Sequence, residues 1–148
     1  MNIETLREEL KIDEGCEYEI YLDHLGLPTF GIGHLILNSD PEYGQPVGTP
    51  VSEDRVNECF AKDVETVLSE CTQLYPNFSV LPGEVQLIIA NMMFNMGRPR
   101  LSAFKGMRKA VDAGDWHRAA VEMVDSRWYT QVTNRAERLV KRMRMVHI

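Results

Sequence analysis

The chain has 148 residues, 44% of them hydrophobic and 26% charged, with a net charge of −6. This is the size of one domain, large enough for a packed core and for two lobes. No apolar run approaches a membrane span, and the start, with Glu4, Glu8 and Glu9, lacks the basic end and apolar block of a secretory signal; the chain is expected to be made in the cytosol without an export signal of its own.

The charge is segregated. Residues 1–96 hold 4 Lys/Arg and 17 Asp/Glu, a balance of −13, and residues 97–148 hold 12 and 5, a balance of +7. Total charge gives no support to nucleic-acid binding, although the basic part alone would permit it. A cationic C-terminal face could instead meet an anionic polymer or the acidic N-terminal part across a groove. Three cysteines are too few for a disulfide framework. Cys59 and Cys71 lie on one predicted helix, and Cys16 reads as a small apolar filler because no basic partner is evident.

In chain order, Ile3, Leu6 and Leu10 recur at helical spacing and predict a helix over 2–11, with Gly15 as its stop. Tyr18, Ile20 and Leu22 alternate with Glu19 and Tyr21 as a strand. Residues 23–28, DHLGLP, supply turn chemistry, and residues 29–34, TFGIGH, are expected to return as a second strand whose two glycines mark a bend or a close backbone approach. Residues 38–50 are loop. Ser52 caps a helix running to about 72, striped by Val56, Phe60, Val64, Val67 and Leu68, the expected strut between two lobes. A helix apolar all round follows over 85–96, opened by Pro82-Gly83-Glu84 and ended by Gly97 and Pro99; such a helix is central and buried. Ser102 is expected to cap a helix to about 113, Asp115 one to about 125, and Thr133 a last one to about 145, with a short helical piece over 126–129. The fold class is α+β: a small β-lobe near 16–50 and a larger helical lobe near 73–148 to which the N-terminal helix returns, all in one domain over 1–148.

Residues 12–34 carry the chemistry. Glu14 stands where a helix ends, and Asp23 and Thr29 stand on the arms of a short hairpin, with eight residues between the first two and five between the next. Cutting a glycosidic bond needs a proton donor for the leaving oxygen and, on the other face of the sugar, a carboxylate that attacks or steers a water. Glu14 is the candidate donor, which must hold a proton at working pH; Asp23 is the charged partner; the Thr29 hydroxyl could hold the water. Taken singly, each has an ordinary reading: a solvated helix-end glutamate, an aspartate in a turn, a threonine of high strand propensity. Spacing alone leaves both readings open.

IDEG, YLD and PTFGIGH resemble the signature of the phage T4-type lysozymes, a family of muramidases. Residues 91–97, NMMFNMG, and 126–138, SRWYTQVTNRAER, resemble two further segments of that family in the same order. The resemblance implies a lysozyme-like fold, with a long helix joining the lobes and an active-site cleft between them. It implies hydrolysis of the β-1,4 bond between N-acetylmuramic acid and N-acetylglucosamine in peptidoglycan, with inversion. In that scheme Glu14 is the general acid and Asp23 and Thr29 hold the attacking water. Arg135 would face and orient Glu14, His34 would pair with Asp63 in a structural role, and Leu35 and Phe94 would line the sugar cleft. At two further cleft-lining positions this chain has Met107 and Glu122 where better-known members have Ser and Asn, so sugar hydroxyls there would meet different partners. The chain also ends soon after Arg144, short of the family's last segment.

The role implied is a monomeric endolysin that waits in a phage host's cytoplasm, reaches the periplasm and cell wall through a holin-type pore, and inserts into no membrane. A tail-spike or toxin role shares the same domain. Two rival readings are a lytic transglycosylase, in which a water-holding Thr29 would have no task, and a catalytically silent peptidoglycan-binding domain. Gly31-Ile32-Gly33 lacks the third glycine of a nucleotide loop, the histidines and cysteines show no ligand spacing, and Met92, Met93 and Met96 read as core, so neither metal nor cofactor is expected. Trp116, Trp128 and Tyr129 read as aromatic core of the helical lobe.

Overall fold

The computed structural model describes residues 1–147, and among them it has eight α-helices and one three-stranded antiparallel sheet, an α+β architecture. The chain divides into two compact units: Arg7–Thr66, and Met1–Leu6 together with the chain from Val67 onward. Helices α1 (Ile3–Glu14) and α2 (Glu53–Leu74) each contribute to both. Among the described residues no helix is long and apolar enough to cross a membrane.

The first unit holds the sheet, in the order β1 (Glu17–Leu22), β2 (Pro28–Gly31), β3 (His34–Leu35). Helix α1 starts on an Asn2 side chain that accepts from the Glu4 amide at 2.9 Å, and runs three residues further than periodicity suggested, to Glu14. The expected single strand over 29–34 is instead two short strands and a turn. Gly31, the last residue of β2, and Gly33 have φ of 64° and 61°, left-handed backbone that breaks the pleat, so the chain reverses between β2 and β3. A Cβ at Gly31 would also lie 3.0 Å from a Val56 methyl, so the turn packs its bare backbone onto α2. The loop over 38–50 closes against β1, where the Ile20 amide donates to the Thr49 carbonyl at 3.0 Å and the Gly48 amide donates to the Ile20 carbonyl at 2.8 Å. Ser52 starts α2 as expected, its hydroxyl accepting from the Arg55 amide at 3.1 Å. Cys16, expected to fill apolar space, is exposed, because it falls between α1 and β1 where nothing covers it.

The second unit is helical. Helix α3 (Gly83–Met96) buries Val85, Ile88, Ile89, Met92, Met93 and Met96, as expected of a helix that is apolar on every side. Around it stand α4 (Arg98–Leu101), α5 (Lys105–Asp112), α6 (Trp116–Val124), α7 (Arg127–Gln131) and α8 (Thr133–Arg144). Two expected helix starts differ. Pro99 opens the single turn α4 rather than only ending α3, since its fixed φ and missing N–H suit a first helical turn. Ser102 therefore lies after α4, its hydroxyl donating to the Pro99 carbonyl at 2.8 Å, and α5 begins at Lys105 without a side-chain cap. Likewise Thr133 is the first residue of α8 and its hydroxyl donates backward to the Thr130 carbonyl at 3.3 Å. Asp115 and Ser126 do cap, accepting from the Arg118 and Tyr129 amides. Trp128 is buried, while Trp116 and Tyr129 are only partly so.

Gly31→Ala should lower stability by about 1–2 kcal/mol, the usual penalty for an L side chain in left-handed backbone, with extra cost from the Val56 contact. Denaturant midpoints measure it; a loss under a few tenths would mean that the turn adopts another conformation freely.

Candidate active site

Asp23 and Thr29 meet at one peptide unit. The hairpin turn between β1 and β2 closes through the Asp23 amide, which donates to the Leu27 carbonyl at 2.9 Å. The Thr29 hydroxyl donates to that same carbonyl at 3.0 Å. In return the Leu27 amide, and with it the Leu25 amide, donates to Asp23 Oδ1, both at 2.9 Å. One oxygen of the carboxylate is thereby fixed by two N–H groups, an Asx-type turn that aspartate is suited to make. Its second oxygen, Oδ2, has no hydrogen-bond partner among the described residues. Thr29 is buried, and with its proton committed to Leu27 its oxygen is left as an acceptor.

The sheet register sets the neighbours of Thr29. Tyr21 on β1 and Leu35 on β3 are both its direct partners, so Tyr21, Thr29 and Leu35 form a row across one face. Leu35 is 45% exposed beside the buried threonine. Phe30 and His34 form the neighbouring pair, with ring centroids 4.9 Å apart.

Glu14, at the last position of α1, lies against the β2–β3 turn: a Cβ at Gly33 would be 2.9 Å from its carboxyl carbon and from Oε1. Only glycine permits that approach, and its φ of 61° already requires one. The Tyr21 phenol reports that the acidic groups share a neighbourhood. Burial raises its pKa, and the negative charges of Glu14, Glu17 and Asp23 push it further in the same direction. Tyr21 was not singled out by the sequence; its place two residues before Asp23, near the end of β1, was the available signal.

His34 anchors the turn from behind. Its Nδ1 lies 2.6 Å from Asp63 on α2, and its Nε2 lies 2.8 Å from Asp40 in the loop after β3. With a carboxylate beside each ring nitrogen, the protonated ring donates to both. Burial alone would lower the pKa of His34, but the bonds to Asp63 and Asp40 outweigh it and hold it above its ordinary value. Burial likewise opposes ionisation of Asp40, yet the Leu37 amide, His34 and Arg55 keep it below the usual carboxylate range. Arg55 then continues the chain of charges to Glu42, with Nε and Nη2 at 2.9 and 3.0 Å from its two oxygens. Asp40 and Arg55 were invisible in the sequence, because nothing in the spacing of a Pro/Gly-rich loop says which of its acids folds back.

The remaining candidates lie in the helical unit. Arg135 on α8 is buried, its Nε donating to Asn91 Oδ1 at 2.8 Å and Nη2 reaching the Asn91 carbonyl at 3.5 Å. Phe94 is half-buried on α3. Met107 is fully buried, and Glu122 is held by Arg118 at 2.6 Å; both line a cavity of about 380 Å³ within this unit.

The phage lysozyme family model matches residues 11–145, which include every one of these side chains. The chain belongs to the phage lysozyme family. It is 30% identical over 158 residues to probable T4-type lysozyme 1 of Dictyostelium discoideum and 29% identical over 157 residues to probable T4-type lysozyme 2, each match covering 93% of this chain and 92% of the relative. It is also 29% identical over 137 residues to peptidoglycan hydrolase gp36 of Pseudomonas phage phiKMV, covering 93% of this chain and 15% of that longer protein. As a member of the phage lysozyme family the chain is a glycoside hydrolase, and a carboxyl at a helix end, a half-bonded carboxylate and a buried hydroxyl acceptor supply chemistry of that class.

The signs of the two shifts in the His34 network define a pH window. The raised His34 stabilises the fold fully below its unfolded pKa, about 6.5, and that contribution is lost as pH rises through its folded value. The lowered Asp40 stabilises above its unfolded pKa, about 3.9, and that contribution is lost as pH falls through its folded value. Stability should therefore peak in mildly acidic solution, and His34→Gln should cost about 1.5–3 kcal/mol there, the scale of hydrogen bonds to charged groups. Urea unfolding of both proteins from pH 5 to 9 checks this: the gap should narrow with rising pH, and a constant gap would remove the ionic reading of His34.

Proposed function

We propose that the chain hydrolyses the β-1,4 bond between N-acetylmuramic acid and N-acetylglucosamine in peptidoglycan, with inversion at the anomeric carbon. The observation that carries the reading is the pair of acceptors left over at the Leu27 hub, Asp23 Oδ2 and Thr29 Oγ1. A water that donates one hydrogen to each has its lone pair directed away from both, toward the anomeric carbon of a bound sugar. The carboxylate takes a proton from this water as its oxygen bonds to carbon. Glu14 delivers its own proton to the departing glycosidic oxygen, so that charge is balanced and the glutamate ends ionised.

Leu35, next to Thr29 in the same row, offers an exposed apolar surface for a sugar face, and Phe94, half-buried on α3, is a further proposed sugar contact. Arg135, Asp63 and His34 act as supports, the last two by fixing the turn that carries Gly33. The substrate assignment draws on the relatives named lysozyme and peptidoglycan hydrolase. The role is that of an endolysin released to the wall from the host cytoplasm.

Glu14→Gln should reduce clearing of a peptidoglycan suspension by at least about 100-fold, the usual scale of general acid catalysis, with its thermal unfolding unchanged within a few degrees. A mutant that clears walls at the parent's rate would show that Glu14 is not the acid. Proton NMR of the first products should find the inverted anomer, and anhydromuramic ends would point to a transglycosylase instead.

The balance of +7 over residues 97–148 should draw the anionic wall polymer to the enzyme. Raising ionic strength from about 0.01 to 0.3 M shortens the Debye length several-fold, so kcat/KM on whole walls should fall. Activity flat across that range would exclude electrostatic recruitment.

A further inference from the structure

Helix α5 carries its charges against its own local stability. It buries Met107, Ala110 and Val111 and turns Lys105, Arg108, Lys109 and Asp112 to solvent, a stripe at i, i+3, i+4 and i+7. Lys105 is the first residue of the helix and Asp112 the last, so each charge opposes the macrodipole at its own end. Lys105 also repels Arg108 and Lys109, three and four residues on. Among the described residues these four side chains form no ion pair, not even Arg108 with Asp112 one turn later. A helix that breaks several local rules at once is expected to use the arrangement elsewhere.

The stripe lines a cavity of about 390 Å³ together with Ser102, whose hydroxyl proton is committed to the Pro99 carbonyl. All five lining side chains are polar or charged, which suits a hydrophilic ligand. Lys105, Arg108 and Lys109 against Asp112 leave a local balance of +2. Two neighbouring groups do not cancel it. Glu122 meets α5 at Gly106, where a Cβ would fall 2.5 Å from its carboxyl carbon, and Arg118 already holds it at 2.6 Å. Gly106 stands about 110° round the helix from the middle of the stripe, at 100° per residue. The buried Tyr75, whose phenol feels both Asp112 and Arg108, is no counter-ion, because burial raises its pKa far above the ordinary value and keeps it neutral.

We propose that this stripe binds a phosphate monoester, free or carried on a small hydrophilic molecule such as a sugar, with the phosphate oxygens held by Lys105, Arg108 and Lys109. A phosphate monoester has a charge of about −1.5 to −2 near neutral pH and three strong acceptor oxygens, which matches both the balance of the cavity and the number of its cations. Arg108 offers a planar fork and the two lysines mobile point charges. Asp112, one turn beyond Arg108, can accept from a hydroxyl of the carrier. The inference goes beyond the Glu14 chemistry and does not depend on it.

Glucose 6-phosphate, glucose 6-sulfate and glucose share one carrier and differ in charge. Calorimetric titration of each into the protein at about 0.01 M ionic strength, where screening is weak, reads the cavity without any turnover. Glucose 6-phosphate should bind at least about three-fold more tightly than the sulfate, the scale of one exposed ion pair, and glucose should be the weakest. Arg108→Gln and Lys109→Gln should each weaken the phosphate ester by at least about three-fold. Lys62→Gln, which removes the same charge from the other unit, should leave it unweakened. Inorganic phosphate separates the sources: weaker binding than glucose 6-phosphate supports a phosphorylated carrier, and equal or tighter binding a free ion. Equal affinity for the phosphate and sulfate esters would overturn the proposal. So would no binding of glucose 6-phosphate to protein with an unchanged circular dichroism spectrum, insensitivity to both Arg108→Gln and Lys109→Gln, or equal weakening by Lys62→Gln.

Discussion

The arrangement of Asp23 and Thr29 in the first unit depends on the peptide group of Leu27. Its N–H and its C=O are both used, the first to hold the Asp23 carboxylate and the second to receive the Asp23 amide and the Thr29 hydroxyl. Two side chains six residues apart are thereby referred to a single rigid plane, so their positions are correlated rather than independently mobile. Each bond also determines what is left over. A carboxylate oxygen and a hydroxyl lone pair stay available because their counterparts are already engaged. The chemistry open to this pair is a matter of which hydrogen-bonding capacity the fold leaves unused.

Glycine determines how close Glu14 comes. The β2–β3 turn is left-handed at Gly31 and at Gly33; one bare Cα faces Val56 and the other faces the Glu14 carboxyl. The same short turn thus anchors to α2 on one side and abuts the acid on the other. Behind it, His34 joins Asp63 on α2 to Asp40 in the following loop, and Arg55 joins that loop back to α2. A loop with several prolines and glycines and little apolar burial would otherwise have weak reason to adopt one conformation. Charge-assisted bonds to partly buried partners supply that reason, and they make it sensitive to pH.

The helical unit works by different means. Its core is apolar and rich in methionine around α3, with buried polar contacts where Arg135 meets Asn91 and where Gln86 donates to the Ser79 and Leu81 carbonyls. Charges collect instead around the cavity formed by α4 to α7, where Glu122 rests on the helix turn that Gly106 leaves open.

Much of this was legible along the chain. Helical periodicity located α1, α2 and α3, start and stop residues located α6 and α8, and Ser52 and Asp115 act as the starts they resemble, because capping and amphipathicity are local physics that neighbouring residues decide. The motif around Glu14, Asp23 and Thr29 pointed to glycosidase chemistry for the same reason: a helix end and a hairpin are both short-range. Local rules misjudged Ser102, Thr133 and the strand over 29–34, where a proline turn or paired left-handed glycines overrode propensity. Only the tertiary structure decided that Asp40 would turn back to His34, that Tyr21 and Leu35 would flank Thr29, and that Gly106 would receive Glu122. Those pairings join residues from separate elements, and no sequence period specifies them; they follow from register and packing, which arise only when the whole chain has closed.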